Sequence, residues 1–298
     1  MASFRSPKSQ AAHAVSQRLA IGEARHGNRD DGRIHSIGTA RAYTEALSTY
    51  TRWLQDERLG DLRGSGRDEA MRYLEMRSTE VSQAQLDKDR QSLQAHLGER
   101  LPVLRSEVEV IRGSRLYTPE QLAMLRERQS LSNALATAIV EATGVRAHEL
   151  LTLRCPAEQP RSSHRTWRND LHAATDGRLY TVAGKGGLVR EVVIPAALAE
   201  RLEASRLDTP HLVIDRGVRY QTHYAIGGGQ AWSQSVTTAS SRALGWSAGG
   251  HAIRASWVNN RIEQLQAAGY GIDDAKRITA LNCGHFSISC LKFYTDRS

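Results

Sequence analysis

Residues 142–153 read ATGVRAHELLTL, and this stretch decides how the second half of the chain is interpreted. Gly144 allows a sharp turn after an apolar helical run, and Arg146 follows at the predicted start of a new helix. Glu149 comes three residues later, so it would share a helical face with Arg146. Such an arginine suits an anion site, because its guanidinium adds paired donors to free backbone N–H groups. An ordinary surface Arg–Glu pair fits the same pattern.

Three further stretches contain basic or nucleophilic residues. In GGHAIRASWVNNRI, residues 249–262, a helix would present His251 and Arg254 together. In AGKGGLVRE, residues 183–191, Lys185 stands at the tip of a predicted β-hairpin, where a lysine is either solvated or reaches a bound ligand.

The last of these stretches is NCGHFSISCLKFYTDRS, residues 282–298, in which Tyr294 follows His285 by nine residues. Each motif alone is weak. Their order along the chain resembles that of the tyrosine recombinases, also called phage integrases. The family's four boxes correspond here to TGVRAHEL, GKGG, HAIR and GHFSI followed by tyrosine. The resemblance covers residues 115–298, and residues 36–105 are similar in helical pattern to that family's core-binding domain.

The resemblance implies DNA strand cleavage and rejoining, with Tyr294 as the nucleophile. A tyrosine hydroxyl has an ordinary pKa near 10, so it requires a proton acceptor or strong transition-state stabilisation at neutral pH. By resemblance, His251 assists proton transfer to and from Tyr294, and Lys185 protonates the departing 5′-oxygen. The product would be a 3′-phosphotyrosyl bond, which another strand's 5′-hydroxyl can reverse without an outside energy source.

The remaining site residues are expected to stabilise negative charge. Arg146 and Arg254 can clamp the non-bridging phosphate oxygens through paired N–H donors, and His285 can donate a further hydrogen bond. Glu149 is expected to orient Arg146 without touching the substrate. The arginines would replace the charge of a metal ion, so neither a metal, ATP nor another cofactor is expected.

Composition and charge agree with a nucleic-acid partner. The chain has 298 residues and a formal net charge of +8, which favours a polyanion such as double-stranded DNA. Its three cysteines form neither a C-x-x-C pair nor a zinc-type cluster. No signal-type apolar core and no apolar run of membrane-spanning length occurs. We therefore expect a cytoplasmic bacterial protein that associates with the nucleoid when bound to DNA.

The pattern predicts a mainly α-helical chain with a small antiparallel β-sheet, arranged as a two-domain clamp around DNA. The expected segments are a flexible basic arm (1–35), a helical core-binding domain (36–105), a linker (106–116) and a catalytic domain (117–298). Thr118, Pro119 and Gln121 predict a capped helix at the start of the catalytic domain. A homotetramer on two DNA sites, with accessory DNA-bending proteins, is the assembly that the resemblance implies.

Some positions depart from the family pattern. Ala255 and Ser256 follow the HAIR box where another histidine is usual, Cys283 replaces a common leucine, and Phe286 stands where a small residue is common. Four residues follow Tyr294, whereas many members have a C-terminal helix that contacts a neighbouring subunit. We expect that contact to be absent, reduced or made by another segment, for which the arm is a candidate.

Two alternatives to recombination stay open at the level of sequence. One is a type IB topoisomerase, which would use the same residues to relax supercoils without strand exchange. The other is a sequence-specific DNA-binding protein on an inactive recombinase scaffold. Among recombination reactions, integration and excision of a mobile element are favoured, while dimer resolution and cassette exchange remain open, as does the target sequence.

Overall fold

In a computed structural model of the protein, the described residues are 6–21, 32–108 and 116–291, without the side chain of Lys185. The chain divides into two compact units, residues 1–111 and 112–298. The first unit is helical. Its helices within the described residues are α1 (Pro7–Ser16), α2 (Ile37–Asp56), α3 (Arg67–Ser78) and α4 (Gln83–Leu97).

Part of the segment expected to be a flexible arm, residues 1–35, forms a helix. Helix α1 begins at a Ser6 N-cap followed by proline, and it packs against α2. Ala11 and Val15, one helical turn apart, are both buried in the core of this unit. The Gln10 side chain accepts a hydrogen bond of 3.0 Å from the Leu62 N–H. A short apolar face is therefore enough to fix this segment, although its composition is polar; residues 1–5 and 22–31 lie outside the described residues.

The second unit is mainly helical and contains four β-strands among its described residues. Helix α5 has the predicted capping box, with Thr118 and Gln121 bonded reciprocally. None of the described helices has the length and apolar character needed to span a membrane. The elements in chain order are α5 (Pro119–Glu127), α6 (Leu131–Thr143), β1 (Arg178–Ala183), β2 (Val189–Ile194), α7 (Ala196–Glu203), β3 (Arg206–Asp215), β4 (Val218–Tyr224), α8 (Gly229–Leu244), α9 (Gly249–Ala267) and α10 (Ile272–Asn282).

The strands form two antiparallel pairs. Strands β1 and β2 pair from Arg178 opposite Ile194 to Ala183 opposite Val189, which confirms the predicted hairpin. Strands β3 and β4 form a second hairpin, which the sequence reasoning did not identify. Most residues of β3 are exposed, so its sequence lacks the alternation that marks a half-buried strand. The predicted fold class, mainly α with a small antiparallel sheet, is confirmed.

The segment after α6 differs from the predicted α-helix. Helix α6 ends at Gly144, whose φ of 63° is left-handed, and Glu149–Thr152 form only a short 3₁₀ turn. The Glu149 carboxylate accepts a hydrogen bond of 2.7 Å from the Arg146 backbone N–H. Arg154 then forms a β-bridge with Thr181. The chain must be extended at that bridge, so an α-helix cannot continue through this segment.

Close packing on α9 fixes the position of this turn. A Cβ atom on Gly144 would overlap the indole ring of Trp257. The Trp257 Nε1–H donates to the Ala142 carbonyl at 3.0 Å. Glycine is therefore required at residue 144 both for its backbone conformation and for the approach of the ring. This contact brings the turn that contains Arg146 against the helix that contains Arg254.

Candidate active site

Arg146 and His285 meet directly, although 139 residues separate them in sequence. The Arg146 Nη2 atom lies 3.0 Å from His285 Nε2. A guanidinium only donates hydrogen bonds, so Nε2 must be the acceptor and the neutral ring carries its proton on Nδ1. The His285 backbone N–H donates to the Ala280 carbonyl at 2.8 Å, which attaches this residue to the end of α10. Two distant motifs thus form one site.

Glu149 joins this site to the β1–β2 hairpin. Its Oε1 accepts from Arg146 Nη1 at 2.9 Å, and its Oε2 accepts from Arg190 Nη2 at 2.6 Å. Glu149 is 0% exposed and Arg190 only 1%. The Arg190 Nε and Nη1 atoms are buried without an acceptor among the described residues. One carboxylate therefore holds two guanidinium groups in place.

Sequence reasoning did not identify Arg190 as part of the site. On strand β2 the buried face alternates through Arg190, Val192 and Ile194. An arginine on an apolar face is unusual, because an unpaired buried charge is costly. The position of Arg190 on the apolar face of β2 was the sequence feature that could have indicated its role. The identity of its partner, Glu149, became apparent only in the folded chain.

Two glycines allow these groups to approach. A Cβ on Gly184, next to the hairpin tip, would lie 3.1 Å from Glu149 Oε1. A Cβ on Gly284 would lie 3.2 Å from Arg190 Cδ, and Gly284 also has a left-handed φ of 74°. Gly184 of the GKGG motif and Gly284 of the GHFSI motif therefore make room for the Glu149–Arg190 pair.

Arg254, on helix α9, forms hydrogen bonds to the segment that contains Arg146 and to the segment that contains His285. It is 1% exposed, and its Nη2 donates to the Cys283 carbonyl at 2.9 Å. Its Nη1 donates to the Gly144 carbonyl. These carbonyls each lie two residues before a site residue, Arg146 in one segment and His285 in the other. His251 lies one helical turn before Arg254 and is exposed at the surface.

The site has an excess of positive charge. Burial alone would raise the pKa of Glu149, but Arg190, Arg254 and Arg146 outweigh it and lower that pKa to about 2. Burial, followed by the same cations, lowers the pKa of His285 to about 4. Three guanidinium groups thus surround one carboxylate and a neutral imidazole at pH 7. Such an arrangement suits a phosphodiester anion.

Of the predicted site residues, Lys185 is described without its side chain and Tyr294 is not described. Lys185 begins the 3₁₀ turn that joins β1 to β2, and its side chain is not among the described atoms. Tyr294 belongs to residues 292–298, which lie outside the described residues. Arg146, Glu149, Arg254 and His285 come together, with His251 one turn away. The described part of the chain contains no cluster of three His, Cys, Asp or Glu side chains suited to a metal ion.

Comparison with solved structures identifies the fold. XerH, a site-specific recombinase bound to its difH substrate, has a TM-score of 0.54 and 15% identity over 100% of this chain and 95% of its own. A lambda integrase dimer bound to a COC′ core site has a TM-score of 0.56 and 16% identity, over 96% and 80% of the two chains. The Tn1549 transposon integrase in complex with a circular intermediate DNA has a TM-score of 0.52 and 14% identity, over 98% and 95%.

No family model matches the chain, and no curated protein matches it in sequence. The fold is that of the tyrosine recombinases. At these identities the comparison establishes the fold, and the activity must be argued from the site.

Proposed function

We propose that the protein is a tyrosine-type site-specific DNA recombinase. In this proposal it cleaves and rejoins double-stranded DNA through a 3′-phosphotyrosyl intermediate, without metal or ATP. The observation that carries the proposal is the 3.0 Å contact between Arg146 and His285 beside the buried Arg254. This arrangement combines two residues from distant motifs with three guanidinium groups around a single carboxylate, that of Glu149.

The charge distribution supports a role in stabilising the transition state. A phosphoryl group under attack carries extra negative charge on its non-bridging oxygens. Arg146 has its backbone and one guanidinium edge held by Glu149, and its Nη2 is bonded to the His285 ring. A phosphate oxygen is a stronger acceptor than a neutral imidazole nitrogen. We expect bound phosphate to take over the Nη2 donor and leave His285 to donate its own hydrogen bond.

The histidines differ in the protonation that their roles require. Partial desolvation of the ring, and then the charges of Arg254 and Arg146, lower the pKa of His251. A neutral His251 can accept the Tyr294 proton during attack and return it during rejoining. His285 is also neutral in the absence of substrate, with Nε2 as an acceptor. It must therefore change tautomer or gain a proton before Nε2 can donate to the phosphate.

The proposal includes the expected domain organisation. We expect the helical segment 36–105 and the catalytic segment 117–298, joined by the linker 106–116, to close around the duplex as a clamp. The net charge of +8 makes phosphate contacts the main source of affinity. The solved XerH, lambda integrase and Tn1549 integrase structures were all determined with DNA. A homotetramer on two sites, aided by accessory DNA-bending proteins in the bacterial cytoplasm, completes the proposal.

A covalent trapping experiment tests the function and does not require a known target sequence. The wild-type chain and a Tyr294→Phe variant are expressed in a bacterial host and denatured rapidly. DNA ends that remain attached to the protein are then sequenced across the replicon. Wild type should yield ends at discrete sites, and the variant should yield none. Equal recovery of ends with both proteins would exclude Tyr294 as the nucleophile.

A second assay, on duplexes that contain the trapped sites, distinguishes recombination from relaxation of supercoils. Duplexes that contain the trapped site are paired in vitro, and joined products are scored along with plasmid supercoiling. Recombination predicts joined strands from two different duplexes. Relaxation with no joined product would instead support a type IB topoisomerase. Junctions between a mobile element and its host would identify integration or excision as the natural reaction.

A further inference from the structure

A long loop lies beside the candidate active site. Residues 155–177 contain no helix or strand and connect the 3₁₀ turn at Glu149–Thr152 to strand β1. Connections of this length inside a compact domain are uncommon and are often functional. The loop contains RSSHRTWR at residues 161–168, which combines three arginines, a histidine and a tryptophan. Neither the fold nor the proposed chemistry accounts for this segment.

Contacts to regular elements hold the loop in place. Ser162 exchanges two hydrogen bonds of 3.0 Å with the backbone of Val189, at the start of β2. The Trp167 Nε1–H donates to the Ser162 carbonyl at 3.0 Å. Further along, the Asn282 side chain donates to the Leu171 carbonyl at 2.9 Å. The loop is therefore attached to both the hairpin and α10, the two elements that frame His285.

The loop places an aromatic and cationic cluster next to His285. The Phe286 ring is 48% exposed, and its centroid lies 5.8 Å from that of Trp167. The guanidinium carbon of Arg165 lies 4.7 Å from the Phe286 ring centroid. Arg161 and Arg168 in the same loop pair with carboxylates. Arg165 is exposed and has no carboxylate partner among the described residues.

We infer that Arg165, Trp167 and Phe286 form a subsite for the nucleotide next to the reacting phosphodiester. Unpaired nucleobases stack on exposed aromatic rings, and a nearby arginine adds a cation–π contribution. Phe286 directly follows His285, so a base on its ring belongs to a nucleotide adjoining the phosphate held by the site. Arg165 supplies positive charge to that nucleotide's phosphate. The subsite binds the base when it leaves the duplex during strand exchange.

The inference also gives a role to the exposure of Phe286, whose side chain is 48% exposed next to His285. Contact with another surface would remove this apolar ring from water, which is favourable. The loop covers one side of the ring, and a nucleobase would cover the remainder. The subsite extends the proposed recombinase function, on which it rests, but its test does not depend on cleavage.

The first measurement uses single-stranded DNA as the probe. Binding of a fluorescein-labelled ten-nucleotide oligothymidylate to the full chain is followed by anisotropy at several salt concentrations. Phe286→Ala should weaken binding by about 5- to 100-fold, the effect of losing one base–aromatic stack. Arg165→Ala should reduce the slope of log affinity against log salt by about 0.7. Unchanged affinity and slope in both variants would overturn the subsite.

Conservative substitutions protect the test against misfolding. Phe286→Tyr keeps an aromatic ring and should retain wild-type affinity, and Arg165→Lys should retain the wild-type salt slope. Arg242→Ala removes an exposed arginine of the same unit, and Leu212→Ala removes an apolar side chain that is 56% exposed. Both controls should bind as wild type does. Losses in the controls equal to those in the site variants would indicate general surface binding and overturn the inference.

Photocrosslinking locates the bound base. The same oligonucleotide is made with one 5-iodouracil and irradiated with the protein, and crosslinked peptides are identified by mass spectrometry. Crosslinks to Phe286 or Trp167 support the subsite, and crosslinks confined to other residues overturn it. The outcome is separable from the proposed function, because Tyr294-dependent DNA adducts would persist if only the subsite is wrong. Crosslinks at Phe286 would persist if only the strand-cleaving activity is wrong.

Discussion

Replacing Glu149 by glutamine tests whether the buried charges, rather than the local backbone, hold the site together. The side chain keeps its shape but loses the negative charge that Arg146 and Arg190 share. Removing one partner of a buried ion pair costs about 3–5 kcal/mol, because the remaining charge stays buried without compensation. We expect the free energy of unfolding at pH 7 to fall by that amount.

The pKa of Glu149 gives a separate value for the same quantity. The folded protein lowers this pKa from 4.5 to about 2, and each pH unit corresponds to 1.36 kcal/mol, so the ionised carboxylate contributes about 3 kcal/mol. Because the folded pKa lies below the unfolded one, this contribution is complete above pH 4.5. It disappears as the pH falls through about 2. The difference in stability between wild type and Glu149→Gln should narrow over that window.

Urea unfolding from pH 7 down to pH 3, followed by tryptophan fluorescence, measures this difference. Four of the five tryptophans, all except Trp53, belong to the second unit, so the signal reports mainly on the unit that contains the site. Glu191→Gln is the matched control. Glu191 pairs with Arg161 at 2.8 Å and lies 3.4 Å from His172. The Arg161 side chain is 46% exposed, and an exposed pair contributes less than about 1 kcal/mol. A Glu149→Gln loss no larger than that of the control, or one independent of pH, would refute the reasoning.

Three further predictions concern the same site. Arg146→Ala should retain most DNA affinity in a filter-binding assay yet form no covalent adduct; a loss of binding that parallels the loss of adduct would contradict a direct contact of Arg146 with the phosphate. The pKa of His285, about 4 without ligand, should rise when inorganic phosphate is added, because an anion stabilises the imidazolium. A ¹⁵N NMR titration in which the His285 pKa stays the same or falls would exclude anion binding beside His285. Gly284→Ala should lower thermal stability more than Gly186→Ala. Both glycines have a left-handed φ, but of the two only Gly284 has Arg190 within 4 Å of an added Cβ. Equal losses of stability would show that backbone strain alone accounts for the effect.

Local signals in the sequence predicted much of the fold. The capping box at Thr118 and Gln121 depends on residues three apart, so its geometry is contained in the local sequence. The β1–β2 hairpin was predicted for the same reason, since two β-rich runs flank a glycine-rich turn. Strand β3 was missed because most of it is exposed and its sequence lacks apolar alternation. Strand β4, VRYQTHY, does alternate and was missed although that signal was present. The burial of helix α1 could not be read from the sequence, because its few small apolar residues are covered only when α1 packs against α2.

In the candidate site too, some features follow from the sequence and others only from the folded structure. The motifs marked Arg146, His251, Arg254 and His285, because residue type and short spacing are properties of the chain itself. The contact of Arg146 with His285, the buried Glu149–Arg190 pair and the loop beside Phe286 involve residues 41 to more than 100 positions apart. By itself, the sequence determined which groups could act on a phosphodiester. Only the tertiary structure decided which of them share a charge environment, because burial and Coulomb interactions depend on distance through space and not on distance along the chain.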